Sequence, residues 1–217
     1  MSDWRSALEN IDEAIRLDPD DGTLVWHKAM ICYEAGEVKE AITLMDNYLR
    51  WCPFSSIAYC QRGRFKESCD IDGAIEDYTI SIFLNPNYPN ALVYRGDLYL
   101  LKGEKKMAVE DFNTAVQMDT VPESDSRKMF ALIRLGRNEE AVNLAEQMLQ
   151  SYPSNTANYN AACVYSLLGQ TEKALSLLEK SMKTGYRSLY HLMTDRYLEN
   201  IRYTEAFQLL LERYGPK

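Results

Sequence analysis

The stretch from Tyr94 to Phe112 reads YRGDLYLLKGEKKMAVEDF, and its internal spacing decides the fold. Gly103 precedes Ala108 by five residues, and Phe112 follows four residues later. A repeated unit would show the same separation elsewhere in the chain. Three further pairs have it: Gly36 and Ala41, Gly136 and Ala141, and Gly169 and Ala174. The stretch is therefore one copy of a repeat.

Alanines in the phase of Ala108 define the length of the unit, because they recur every 33 or 34 residues. Apolar residues inside each unit recur every three or four positions, which is the period of an amphipathic helix. A glycine between two such runs favours a left-handed helix cap, and a proline after the second run stops the helix. Each unit is therefore predicted to be a helical hairpin. The alanines are Ala7, Ala41, Ala74, Ala108, Ala141 and Ala174, and the closing prolines are Pro19, Pro53, Pro86 and Pro153.

This pattern resembles the tetratricopeptide repeat, and the C-terminal part from Asn158 is similar to the last repeat and final helices of bacterial members. The resemblance implies an all-α fold, a right-handed alpha-alpha superhelix (solenoid) of helical hairpins. It also implies small residues where paired helices approach closely. Met129 departs from that rule, so we expect its repeat to be the least regular. The fullest match to the family signature is Arg95-Gly96, Tyr99, Gly103, Ala108, Phe112 and Ala115.

We expect the whole chain, 1–217, to form a single array. Residues 3–19 match only the second helix of a unit, so we predict a lone helix there. Its apolar stripe predicts either a chain that begins inside a repeat of a longer protein or weak self-association through Trp4 and Leu8. Five full repeats are predicted at 22–53, 54–86, 89–119, 122–153 and 155–184, with C-terminal capping helices at 187–217.

The overall composition argues against several classes of partner. The chain has 24 Lys and Arg against 32 Asp and Glu, a net charge of −8, so we expect no nucleic-acid binding. It contains neither an apolar signal segment nor an 18-residue apolar run, so no membrane span is predicted. Its five cysteines include no Cys-x-x-Cys pair, which favours reduced structural thiols and a cytoplasmic protein.

Catalytic patterns are absent from the sequence. The two histidines, His27 and His191, are far apart, and there is no phosphate-binding Gly-rich motif. The sequence Arg95-Gly96-Asp97 falls on a predicted first helix, where it cannot form an adhesion loop. We therefore predict no enzyme activity, no metal and no cofactor. Arg62 and Arg95 share one phase and are expected to pair with Asp77 and Asp111 of the helices that follow them.

The family resemblance implies that the first helices of the repeats line a groove that binds an extended or helical peptide. A Lys followed four residues later by Asn, which marks repeats that grip chaperone tails, does not occur here. The predicted groove residues are Trp26, His27, Met30, Tyr33, Gln61, Arg64, Tyr94, Asp97, Leu101, Arg127, Phe130, Arg134, Tyr159, Asn160 and Cys163.

The sequence thus predicts a non-catalytic module for protein–protein interaction, an adaptor or scaffold. An alternative stays open at this point. The chain could be a regulatory or targeting part of a larger enzyme or of a secretion-associated protein.

Overall fold

The fold is described from a computed structural model that covers residues 4–118, 125–186 and 188–215. Over these residues the chain forms fourteen α-helices and no strand. The prediction of an all-α solenoid of helical hairpins is confirmed at the level of fold class. The first three residues of the predicted repeat at 122–153 lie outside the described ranges.

The chain forms two compact units, Met1–Ala108 (unit 1) and Val109–Lys217 (unit 2). The predicted single array over 1–217 stays a prediction. Unit 1 contains α1 (Trp4–Leu17), α2 (Gly22–Glu34), α3 (Val38–Trp51), α4 (Ser56–Lys66), α5 (Ile71–Leu84) and α6 (Pro89–Leu101). The boundary between the units falls inside α7 (Lys105–Gln117).

Unit 2 contains four full-length helices followed by a less regular C-terminal part. The long helices are α8 (Asp125–Arg134), α9 (Asn138–Ser151), α10 (Asn155–Leu167) and α11 (Thr171–Lys183). They are followed by α12 (Leu189–Thr194), a 3-10 turn (Arg196–Leu198), α13 (Glu199–Arg202) and α14 (Glu205–Tyr214).

The turns inside the hairpins follow from the repeated glycines. Gly36, Gly103, Gly136 and Gly169 have φ between 71° and 84°, the left-handed region that strains any residue with a Cβ. At Gly36 the amide donates to the carbonyl of Tyr33, and the next amide donates to Cys32, which closes the end of α2. The predicted left-handed caps are confirmed.

Small residues allow the helices of unit 1 to approach closely. Ala29 on α2 and Ala41 on α3 are fully buried and belong to one core cluster with Met45. Gly63 on α4 faces the ring of Tyr78 on α5 so closely that a Cβ would lie 2.8 Å from the ring. The pairing of first and second helices therefore depends on these positions.

A buried charge network links α3, α4 and α5. Asp77 is only 1% exposed and accepts hydrogen bonds from Arg62 Nε at 2.9 Å and Nη2 at 2.5 Å. Lys66 lies 2.9 Å from the same carboxylate, and Arg62 also reaches Asp46 at 2.7 Å. The predicted Arg62–Asp77 pair is confirmed.

The corresponding arginine on α6 has a different contact. Arg95 donates to the hydroxyl of Thr79 at 3.0 Å, and Asp111 on α7 is buried. The pairing of Arg95 with Asp111 stays a prediction.

Helix length and polarity also bear on membrane insertion. Among the residues that the structure describes, the longest helices have 14 residues, whereas a bilayer requires about 20 apolar residues in a helix. Within the described ranges, no helix is long and apolar enough to cross a membrane.

Candidate binding surfaces

Side chains on successive first helices of unit 1 contact one another in a continuous row. The amide Nε2 of Gln61 on α4 donates to the sulfur of Met30 on α2 at 3.7 Å. Arg64 donates to Oε1 of the same Gln61 at 3.0 Å, and its guanidinium lies 5.6 Å from the ring centroid of Tyr94 on α6. We call Met30, Gln61, Arg64 and Tyr94 the unit 1 row.

The aromatic residues near this row are held by stacking. Trp26 packs edge-on against Tyr48 of α3, with centroids 5.2 Å apart. Tyr33 stacks on Phe65 of α4 at 4.4 Å. These contacts leave both Trp26 and Tyr33 partly exposed, and His27 beside Trp26 is exposed.

Two predicted groove positions on α6 have opposite environments. Asp97 is 2% exposed, so its carboxylate is enclosed by the protein. Leu101 at the end of α6 is 67% exposed. Of the nine predicted residues in unit 1, four form the row. Trp26, His27 and Tyr33 lie on α2 together with Met30, Asp97 is buried, and Leu101 is exposed.

In unit 2 the predicted groove positions on α8 contact the C-terminal part of the chain. Tyr197 of the 3-10 turn stacks on Phe130, with ring centroids 4.2 Å apart. The guanidinium of Arg134 lies 5.7 Å from the centroid of the Tyr197 ring, and that of Arg127 lies 5.3 Å from the Phe130 ring. Tyr197 is 4% exposed, so its contact with Phe130 is shielded from solvent.

The predicted positions on α10 contact the same C-terminal segment. The hydroxyl of Tyr159 donates to Oδ2 of Asp195 at 2.7 Å, and the sulfur of Cys163 is 4.0 Å from the same oxygen. The Tyr159 ring also stacks on Tyr186 at 4.3 Å, and Asn160 is buried. Of the six predicted residues of unit 2, the chain itself therefore buries Phe130, Tyr159, Asn160 and Cys163, whereas Arg127 and Arg134 stay partly exposed.

The environment of Cys163 makes it an unreactive thiol. Burial, followed by the negative charge of Asp195, raises its pKa well above the usual range. Because the thiolate is the nucleophilic form, Cys163 stays protonated and inert at neutral pH.

The sequence analysis did not predict the helix break at Asp195, which places residues 195–198 against α8 and α10. Residues 189–202 occupy the place of a sixth first helix, but their backbone leaves the helix at Asp195, where ψ is 116°. Oδ1 of Asp195 accepts the amide of Tyr197 at 2.8 Å, and Arg202 donates to the Asp195 carbonyl. An aspartate that can cap a new turn was the available signal, because such residues compete with helix continuation.

Metal binding finds no support in the described part of the chain. No group of three or more His, Cys, Asp or Glu side chains lies close enough there to hold a metal ion.

The fold defines the class of this protein, which is a repeat protein built from helical hairpins. Sequence profiles described as tetratricopeptide repeat match residues 1–56, 90–121 and 156–184, together more than half of the chain. The chain belongs to the tetratricopeptide repeat family.

One relative with a similar sequence is a plant protein. The chain is 29% identical over 120 residues to a chloroplastic protein of Arabidopsis thaliana, and the match covers 54% of this chain. It covers 36% of the plant protein, so the chain spans well under half the length of that relative.

Two solved structures are also similar. One is TTC0263, a thermophilic TPR protein of Thermus thermophilus, at a TM-score of 0.58 and 19% identity, covering 76% of this chain and 90% of the other. The second is a tetratricopeptide repeat protein from Parabacteroides merdae, at a TM-score of 0.53 and 19% identity, covering 98% and 86%. At these identities the likeness concerns the fold.

Proposed function

We propose that the chain is a non-catalytic adaptor or scaffold that binds a peptide or protein segment on the unit 1 row. The main support is the continuity of this row, since Met30, Gln61, Arg64 and Tyr94 contact one another across three successive first helices. Such a surface suits an extended or helical segment that follows the same direction. A cytoplasmic location is part of the proposal.

The residue types along the row indicate what the segment would contain. Arg64 donates to Gln61 and lies beside the Tyr94 ring, and its planar guanidinium is a group that binds carboxylates and backbone carbonyls. Partly exposed Trp26 and Met30 offer apolar surface beside it. Aromatic residues and arginine carry much of the energy at protein interfaces. A segment with an acidic residue near an apolar one fits these groups.

A displayed library of random peptides tests this proposal. Peptides selected on the wild-type chain should bind the Arg64→Ala and His27→Glu variants at least about tenfold more weakly, an effect of the size expected for interface hot spots. His27 is exposed, so its replacement changes the surface without disturbing the core.

Phe83→Ala is the matched control. Phe83 is 84% exposed on α5 and lies outside the row, so its loss should leave peptide binding unchanged. Selected peptides that bind both row variants as well as the wild type would locate binding elsewhere and refute the proposal. A library that yields no specific binder would refute it as well.

A second proposal concerns the exposed edge of unit 1. In α1 no residue is fully buried, although Leu8 packs against the core of the first hairpin. Its apolar stripe of Trp4, Ala7, Leu8, Ile11 and Ile15 is covered only in part. We propose that this stripe mediates weak self-association.

A further inference from the structure

The C-terminal segment of unit 2 occupies the surface where the repeat pattern places a ligand. In the earlier hairpins a first helix such as α10 runs unbroken for 13 residues. Here the equivalent stretch is divided into pieces of six, three and four residues. Because of this break, Tyr197 contacts Phe130 on α8, which belongs to the hairpin before that of α10. In repeat proteins a repeat normally contacts only the repeats directly next to it.

The contacts of this segment fall into two adjacent subsites. In the first, a carboxylate oxygen of Asp195 accepts the Tyr159 hydroxyl at 2.7 Å. In the second, the ring of Tyr197 lies against Phe130 and under the guanidinium of Arg134. The backbone carbonyl of Ser166 accepts the side-chain amide of Asn200 at 2.8 Å, which fixes the segment along α10.

We propose that the faces of α8 and α10 form a peptide-binding site for an acidic residue followed two positions later by an aromatic residue. Residues Asp195–Leu198 occupy this site within the same chain. A partner segment with the same pattern binds by displacing them. The site is in unit 2, so this inference is independent of the binding proposed for the unit 1 row.

Residues Asp195–Leu198 are covalently linked to the site, and this link determines how strongly they compete with a free peptide. A segment linked to its site acts at an effective concentration in the millimolar range or above, so a free peptide must exceed that concentration to displace it. Weakening the tethered segment without altering the site lowers the peptide concentration that is required. The affinity for a free peptide should therefore rise when the linked segment is weakened.

The experiment uses a fluorescein-labelled synthetic peptide of residues 188–204 and the full-length chain, with binding followed by fluorescence anisotropy. Two variants weaken the tethered segment, Asp195→Asn in the first subsite and Tyr197→Ala in the second. Each should bind the peptide at least about tenfold more tightly than the wild type, because the internal competitor is weaker. Adding Arg134→Ala to the Asp195→Asn chain should remove this gain.

Two controls separate the site from general loosening of the C-terminal part. Tyr203→Ala removes a tyrosine that is 78% exposed just after α13, and it should bind like the wild type. A peptide carrying both Asp195→Asn and Tyr197→Ala should bind no chain, because it lacks both recognition groups.

Wild-type chain labelled with ¹⁵N supplies an independent measurement. Excess unlabelled peptide should shift the amide signals of residues 196–202 toward the positions of a released segment. Folded Asp195→Asn and Tyr197→Ala chains that bind no more tightly than the wild type would overturn the proposal. Unfolding of both variants would overturn it too, since a displaceable segment must leave the array folded.

Discussion

Gly63 on α4 lies against the ring of Tyr78 on α5, and its missing side chain has a measurable consequence. A Cβ there would lie 2.8 Å from Cε1 of Tyr78. That ring cannot move aside easily, because Tyr78 is fully buried, stacks on Tyr94, and donates its hydroxyl to Glu67 at 2.5 Å. The position is therefore limited by space.

Gly63→Ala should lower the free energy of unfolding by about 1–3 kcal/mol, the usual effect of overpacking. Urea denaturation followed by circular dichroism measures the change. Gly36 is the matched comparison, because it has φ of 84° and no neighbour within 4 Å.

At Gly36 the limitation is backbone conformation, which costs an alanine about 1–2 kcal/mol. Asparagine tolerates this conformation better, so Gly36→Asn should be milder than Gly36→Ala. At Gly63 the order should reverse, since asparagine is larger. If alanine and asparagine ranked in the same order at both glycines, the assignment of lack of space to Gly63 and of backbone conformation to Gly36 would be contradicted.

Asp77 supports a second prediction at the residue scale. Its carboxylate is 1% exposed and holds both Arg62 and Lys66, whose side chains are 17% exposed. Asp77→Asn leaves Lys66 without this counter-charge and leaves Arg62 with only the more exposed Asp46, so we expect a loss of about 3 kcal/mol in the free energy of unfolding.

The exposed pair of Arg16 and Glu13 is the control for this prediction. Nη2 of Arg16 lies 2.6 Å from Oε1 of Glu13, a distance similar to that between Arg62 and Asp77. Unlike that pair, both side chains are more than half exposed. Glu13→Gln should leave the urea midpoint unchanged because water screens the charges. Equal effects of the two substitutions would show that burial of Asp77 does not matter.

At the scale of helices, Met129 marks the hairpin of α8 and α9 as different from the others. The equivalent positions hold Ala29, Gly63, Gly96 and Ala162, whereas Met129 is larger and is also fully buried. A larger side chain at a close helix contact disturbs the packing on which these hairpins depend.

Hydrogen exchange should therefore be faster in this hairpin than in the other full hairpins. Exchange measured by mass spectrometry on peptic fragments would compare α8 and α9 with α10 and α11, since local opening follows local packing. Uniform protection from Gly22 to Lys183 would contradict the prediction.

At the scale of the whole molecule, the half-covered α1 predicts concentration-dependent association. Sedimentation velocity at several concentrations should show a monomer that shifts toward larger species, and Trp4→Ala should abolish the shift. Phe83→Ala is the control, because Phe83 is 84% exposed but lies on α5. A chain that remains monomeric at high concentration would refute the proposed self-association.

The repeat length, the hairpin turns and the Arg62–Asp77 pair could all be predicted from the sequence. Each depends on residues close in the chain: a glycine that permits positive φ, apolar spacing with the helical period, and charges on neighbouring helices. Groove positions such as Trp26 and Met30 were instead implied by the family resemblance, and they stay a prediction.

Only the tertiary structure showed which helix faces are covered by another part of the chain. The period places Phe130 and Tyr159 on the same faces as Met30 and Arg64, but it carries no information about a distant segment that folds over them. The break at Asp195 brings Tyr197 onto Phe130 across 67 residues of chain. Such long-range contacts depend on packing between segments that are far apart in sequence, so the local pattern that determined the helices could not predict them.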